Sequence, residues 1–194
     1  MTQDRQADPS GRAPAGRGYF AIGVEGISKP MNLGNLMRSA HAFGAHFVFT
    51  IGAHDEARAV RSDTSKAPGH VPLYAWGSVA EMRLPEGCKL IGIELLDEAL
   101  ELPSFPHPMR AAYVLGPERG ALSDELVARC DAIAKIPTQF CINVSTAGAI
   151  VMYDRVRSLG RFAPRPLSEG RRTEPLEPHV HGGPVVRGRE RSPD

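Results

Sequence analysis

The chain has 194 residues, 42% apolar and 23% charged, enough for one domain with a sizeable core. Its formal net charge is only +1, so bulk charge marks no nucleic-acid binder, and such a contact has to come from a local basic patch. No apolar run approaches the roughly 20 residues that a membrane span needs, and residues 1–18 are polar without the apolar centre of a secretory signal, so no membrane is expected and a cytoplasmic location is.

Residues 1–18 and 165–194 are rich in Pro, Gly, Arg and Glu and poor in large apolar groups, and both read as disordered tails around an ordered body at 19–164. Within that body Tyr19–Val24 is a continuous apolar run, as in a strand covered on both faces. Residues 35–43 suit a helix, with Leu36, Met37, Ala40 and Phe43 at helical spacing. A second strand follows at 46–51, then a polar stretch without periodicity at 53–72 and a short helix at 78–84. Strands at 89–95 and 111–115 precede a short helix at 123–130, with Ser123 as its N-cap and Asp124 and Glu125 suited to its positive end. A fifth strand at 132–136 leads to a last helix at 143–159, capped by Asn143 or Ser145. Strands alternating with helices predict an α/β domain with a mostly parallel sheet.

Cys88, Cys130 and Cys141 are too widely spaced for a disulfide framework or a paired zinc signature, and the histidines show no metal-ligand spacing, so no metal is expected. The last helix opens on Ala147-Gly148-Ala149, with almost no side-chain bulk, so a ligand, a subunit or a chain segment can approach closely. Ile150, Val151, Met152 and Tyr153 are expected to continue it as buried helix.

In open α/β sheets ligands bind just beyond the C-terminal ends of strands, and three segments of unusual composition occupy such positions. The first is Lys29-Pro30-Met31-Asn32-Leu33-Gly34-Asn35-Leu36-Met37-Arg38, where Asn32 and Asn35 suit turn or cap roles and Arg38 lies one turn beyond Asn35. The second is Leu115-Gly116-Pro117-Glu118-Arg119-Gly120-Ala121-Leu122-Ser123, whose glycines allow close backbone approach. The third is Cys141-Ile142-Asn143-Val144-Ser145. None matches a dinucleotide or P-loop fingerprint, which argues against an unrelated nucleotide-using α/β enzyme.

Taken in order, these segments resemble the three motifs of the SPOUT RNA methyltransferases, in the SpoU (TrmH-like) branch. That pattern has Asn-x-Gly…Arg, then Gly-Pro-Glu-x-x-Gly-Leu-Ser, then Ser-Leu-Asn-Val-Ser before a small-residue helix. The resemblance spans residues 19–159 and departs from the pattern at Cys141, where the family has Ser; a thiol is the weaker hydrogen-bonding group.

The resemblance implies a parallel sheet with a C-terminal trefoil knot and a homodimer with the active site near its interface; the extra N-terminal RNA-binding domain that some relatives carry is not expected, since only a short polar tail precedes the first strand. It implies transfer of a methyl group from S-adenosylmethionine, with S-adenosylhomocysteine as product, to a ribose 2′-hydroxyl in tRNA or rRNA. Arg38 is then the residue expected to orient the hydroxyl and a phosphate, because a guanidinium that stays protonated is a poor base. Asn32 and Asn143 would fix the ribose or Arg38, and Glu118 would hold Asn32, Arg38 or a loop amide. The cofactor would lie against Leu115, Gly116, Gly120, Ile136, Cys141 and Ile142. Arg58, Arg61 and Lys66 are the best candidates for RNA phosphate contacts. The altered Cys141 leaves a second reading, an RNA-binding dimer that has lost catalysis.

Overall fold

The computed structural model describes residues 18–54, 71–160 and 162. The expected tails, apart from Gly18, lie outside the described residues. So do Arg58, Arg61 and Lys66.

Among the described residues seven strands form one parallel sheet in the order β3-β2-β1-β6-β4-β7-β5, with β1 at Tyr19–Glu25, β2 at Phe47–Ile51, β3 at Leu73–Trp76, β4 at Lys89–Ile93, β5 at Leu100–Glu101, β6 at Arg110–Leu115 and β7 at Ala132–Lys135. Parallel strands need crossovers that cover both faces, which is why β1 and β6 read as unbroken apolar runs. The chain builds outward from β1 through β2 and β3. It then returns across β1, and β6 inserts between β1 and β4, so the strand order reverses there.

One face buries Ile22, Val24, Ile91, Ile93, Tyr113 and Leu115 under α1 (Pro30–Phe43) and α3 (Val144–Leu159). The other buries Ala21, Phe49, Ile51, Leu90, Ala112 and Val114 under α2 (Asp124–Arg129), Leu122, Val79 and Met82. Side chains on adjacent strand residues take opposite faces, so two cores follow from one set of strands.

Five expectations change. Helix α1 begins at Pro30, five residues earlier than predicted, with Pro in the first turn, where its missing N–H costs nothing. Asn32 is therefore a buried helical residue and Asn35 an exposed one, and neither caps the helix. Residues 78–84 form a turn closed by Gly77 donating to Glu81 and by the Arg83 guanidinium donating to the Ala80 carbonyl, not a helix. Strands β3 and β5 were not predicted; β3 is a short edge strand whose Tyr74 stacks on Trp76, and β5 has only two residues. On α3, Val151 and Met152 are buried as expected, but Ile150 and Tyr153 are exposed.

The small residues of α3 have a packing cause. A Cβ added at Gly148 would come within 2.4 Å of Leu36 Cδ1 on α1, with Leu115 and Ile22 behind it. The far end of α3 is fixed by a buried cation. Arg155 is 2% exposed and donates to the carbonyls of Pro108 (2.5 Å) and Met109 (3.0 Å) and to the Tyr113 hydroxyl (3.1 Å), with its guanidinium 5.2 Å from the Phe20 ring centroid. His107 sits beside it, between the Tyr113 hydroxyl (2.7 Å) and Asp154 (3.0 Å). Burial pushes the His107 pKa down, against the raising effect of Asp154.

Gly148→Ala is expected to destabilise the protein by about 1–3 kcal/mol in urea unfolding. Adding Leu36→Ala removes the obstructing methyl groups, so the pair should cost less than the sum of the two single changes. Simple additivity would show that the α1–α3 approach does not set the requirement for glycine.

Candidate active site

A cleft lies beyond the C-terminal ends of β4, β6 and β7, against the N-terminal turn of α3. Its volume is about 270 Å³. Ile93, Leu115, Ile136, Ile142, Val144 and Ala147 give it apolar walls, and Asn32, Glu94, Glu118 and Asn143 supply polar groups. A mostly apolar pocket with a few convergent polar groups is the usual form of a small-molecule site.

The loop joining β6 to α2 is held by three carboxylates. Glu118, inside the loop, reaches across to the segment before α1. Its Oε2 accepts from the Ser28 amide (3.0 Å) and hydroxyl (3.1 Å), and its Oε1 accepts from the Lys29 amide (3.0 Å) and Asn32 Nδ2 (3.0 Å). Glu25, at the end of β1, accepts from the Ser123 amide (2.8 Å) and hydroxyl (2.6 Å). Glu94, just past β4, accepts from the Leu122 amide (2.9 Å) and the Leu95 amide (2.9 Å). Ser123 also caps α2, accepting from the Leu126 amide at 3.2 Å, as its sequence position predicts.

The third motif joins the same network. Asn143 donates through Nδ2 to Asn32 Oδ1 (3.1 Å), and its own Oδ1 accepts from the Ser145 amide (2.9 Å) and hydroxyl (2.6 Å) and from the Thr146 amide (3.4 Å). Asn143 is thus the cap of α3, and Ser145 is not. A chain of hydrogen bonds, Glu118–Asn32–Asn143, ties the three motif segments together across 111 residues of sequence.

Burial works against charge on Glu118, but hydrogen bonds from Asn32 and the Ser28 and Lys29 amides outweigh it and bring its pKa from 4.5 down to about 2. The carboxylate is therefore ionised at neutral pH and a weak base.

All six residues expected at the cofactor line the cleft: Leu115, Gly116, Gly120, Ile136, Cys141 and Ile142. Asn32, Glu118 and Asn143 line it too. Gly120 has φ of 109°, a conformation that favours glycine. A Cβ on Gly116 would stand 3.3 Å from the Leu122 amide nitrogen and 3.4 Å from Glu94 Oε2, so the glycine keeps that wall flat and open. Cys141 is exposed at the lip. Arg38 stands apart, exposed on α1 and outside the cleft lining. Ile93, Glu94 and Leu95 were not foreseen, although the strand-end rule, applied to β4 as it was to β6, points to them. Among the described residues no group of three or more His, Cys, Asp or Glu side chains could hold a metal ion, and no helix is long and apolar enough to cross a membrane.

Residues 19–153 match the SpoU rRNA Methylase family. The chain is 27% identical over 147 residues to the mouse tRNA (guanosine(18)-2′-O)-methyltransferase TARBP1, covering 68% of this chain and 9% of that protein. It is 28% identical over 151 residues to the 23S rRNA (guanosine-2′-O-)-methyltransferase RlmB of Coxiella burnetii, covering 74% and 59%. The chain thus spans less than two thirds of the length of either relative. An rRNA methyltransferase structure from Sinorhizobium meliloti superposes with a TM-score of 0.64 at 20% identity, covering 73% of this chain and 56% of that one, and shows the same fold.

Folding lowers the Glu118 pKa, so its contribution to stability is complete above about pH 4.5 and is lost as the pH falls through about 2. Glu118→Gln is expected to lower the melting temperature at pH 7 by a few degrees, the effect of about 1 kcal/mol. The gap from the unsubstituted protein should close between pH 4.5 and 2, followed by circular dichroism. A gap of constant size over that range would show that the loops do not depend on the charge.

Proposed function

Because this chain belongs to the SpoU rRNA methylase family, we propose that it transfers a methyl group from S-adenosylmethionine to a ribose 2′-hydroxyl of tRNA or rRNA. The observation that carries this reading is the Glu118–Asn32–Asn143 chain, which gathers three distant motif segments around one cleft. The names of the mouse and Coxiella relatives, one acting on tRNA and one on 23S rRNA, support the substrate class.

The cleft suits an adenosyl group. Ile93, Leu115, Ile136 and Ile142 offer flat apolar walls for a base, and glycines 116 and 120 leave backbone groups accessible. When bound, S-adenosylmethionine supplies the electrophilic methyl group and leaves as S-adenosylhomocysteine. The rest of the task is alignment, because a well-aimed oxygen and an activated methyl need little further help. The residues of the cleft would hold the incoming 2′-hydroxyl in line with that methyl group, and its proton would pass to solvent. Glu118 does not take that proton, since its pKa is low and both its oxygens are engaged. Asn32 and Asn143 fix the edge of the cleft that the ribose approaches. Arg38 orients the 2′-hydroxyl and an adjacent phosphate, without acting as a base.

Arg38 lies outside the lining of its own cleft, and this fits a homodimer in which substrate is bound at the subunit boundary. Met31, Ile150 and Tyr153 are exposed apolar groups on α1 and α3, suited to bury against a second copy. The methyltransferase domain extends over 19–164, and the C-terminal trefoil knot is formed where the segment from β7 to α3 crosses the chain after β4. Support for that crossing comes from β5 pairing with β7 and from α3 packing on the turn at Leu102–Ser104. Arg58, Arg61 and Lys66 contact RNA phosphates, and the protein works in the cytoplasm with its substrate.

Purified protein, labelled S-adenosylmethionine and total tRNA or rRNA are expected to yield a 2′-O-methyl nucleoside by mass spectrometry. Arg38→Ala should lower kcat by about 100-fold with an unchanged melting temperature. No transfer to any RNA, together with no cofactor binding by calorimetry, would sink the enzyme reading. Cofactor and RNA binding without transfer would favour a binding protein that has lost catalysis. Cys141, exposed where the family pattern has Ser, is the residue behind that second reading, and Cys141→Ser would then be expected to restore transfer.

A further inference from the structure

We propose that Glu94 is the group that holds the ribose diol of the adenosyl cofactor. The inference rests on the cofactor reading above and goes beyond it, since Glu94 belongs to none of the three motif segments.

The cleft is lined by two carboxylates, and hydrogen-bond capacity separates them. An ionised carboxylate offers about four lone-pair sites. Glu118 has two donors on each oxygen: the Ser28 amide and hydroxyl on Oε2, and the Lys29 amide and Asn32 Nδ2 on Oε1. It has nothing left to offer a ligand. Glu94 has one donor on each oxygen, the Leu95 amide on Oε1 and the Leu122 amide on Oε2. Each oxygen keeps one free acceptor site, and among the described residues Glu94 forms no salt bridge. The two amides fix the orientation of the carboxylate, so the two remaining sites are presented side by side.

A vicinal diol matches that arrangement, because it brings two O–H donors on neighbouring carbons. The approach is open. A Cβ on Gly116 would stand 3.4 Å from Glu94 Oε2, so a side chain there would crowd the very oxygen involved. The apolar surface of Ile93, Leu115, Ile136 and Ile142 lines the same cleft, where the attached base would lie. One carboxylate therefore has two tasks: it anchors the Leu122 amide of the loop after β6 and receives the sugar. Acidic side chains on ribose hydroxyls at strand ends are a general solution in α/β nucleotide sites.

The test is calorimetric binding of S-adenosylhomocysteine and its 2′-deoxy and 3′-deoxy analogues, together with S-adenosylmethionine, to the full chain and to Glu94→Gln. The unsubstituted protein is expected to lose about 10- to 100-fold in affinity for each hydroxyl removed, as for hydrogen bonds to a charged group. Glu94→Gln should weaken S-adenosylhomocysteine and S-adenosylmethionine by the same factor, and its remaining penalty for the deoxy analogues should fall below about threefold by double-mutant logic. Should Glu94→Gln fail to fold, as judged by its melting curve, Glu94→Asp takes its place, with the same reduction of the deoxy penalty expected. A deoxy penalty equal to that of the unsubstituted protein would overturn the assignment while leaving the cofactor reading intact. Weakened S-adenosylmethionine with unchanged S-adenosylhomocysteine would also overturn it, placing the carboxylate against the sulfonium charge instead. If the unsubstituted protein bound neither compound, both readings would fall together.

Discussion

The cleft depends on the loop between β6 and α2 being held where its own backbone would not keep it. That loop contains two glycines and a proline and has no regular hydrogen bonding, so ordering it is entropically expensive. Carboxylates supply the restraint. Glu25 and Glu94 grip its far end through Ser123 and Leu122, while its own Glu118 grips the start of α1. Every contact is a carboxylate oxygen accepting from an amide or hydroxyl. Two of the three carboxylates sit at strand ends and the third follows closely on β6, so the parallel sheet aims them all at one edge.

The same arrangement separates support from chemistry. A residue whose acceptor sites are filled by its own protein is a structural strut, however suggestive its place in a motif. Glu118 is such a residue: its low pKa follows from the bonds that occupy it. Asn32 and Asn143 are intermediate cases. Each spends part of its amide on the other and part on a loop or helix end, which fixes their orientation at the cleft wall.

Much of this was legible in the sequence, and the misses have physical causes. Unbroken apolar runs identified β1, β4 and β6, and Ser123 identified the start of α2, because burial on both faces and capping leave local signals. The start of α1 was misread because Asn32 resembles a turn residue; the structure shows that its side chain bonds to distant Glu118 instead of a neighbouring amide. β3 and β5 left little signal, since an edge strand and a two-residue bridge bury little. Arg155 and His107 had no local signature at all, because their partners lie more than forty residues away or on another element. The same holds for Glu94, whose anchoring role depends on a loop amide 28 residues on.

Helix α3 shows how the small-residue signal and the site are related. Its bulk is missing at Gly148 because α1 passes there, with Leu36 filling the space a side chain would need. Ala147, one residue earlier, lines the cleft. One short stretch thus serves helix packing on one side and a ligand wall on the other. The helix is also pinned at both ends, by Asn143 on Asn32 at the cleft and by Arg155 on the carbonyls of Pro108 and Met109 at the opposite edge of the sheet. A helix fixed in this way cannot tilt to widen the cleft without breaking a buried charge-assisted cluster, whose loss is costly. Adjustment to a ligand therefore falls to the lip from Thr138 to Ile142, where Phe140 and Cys141 are exposed and Asn143 marks the point at which the rigid helix begins.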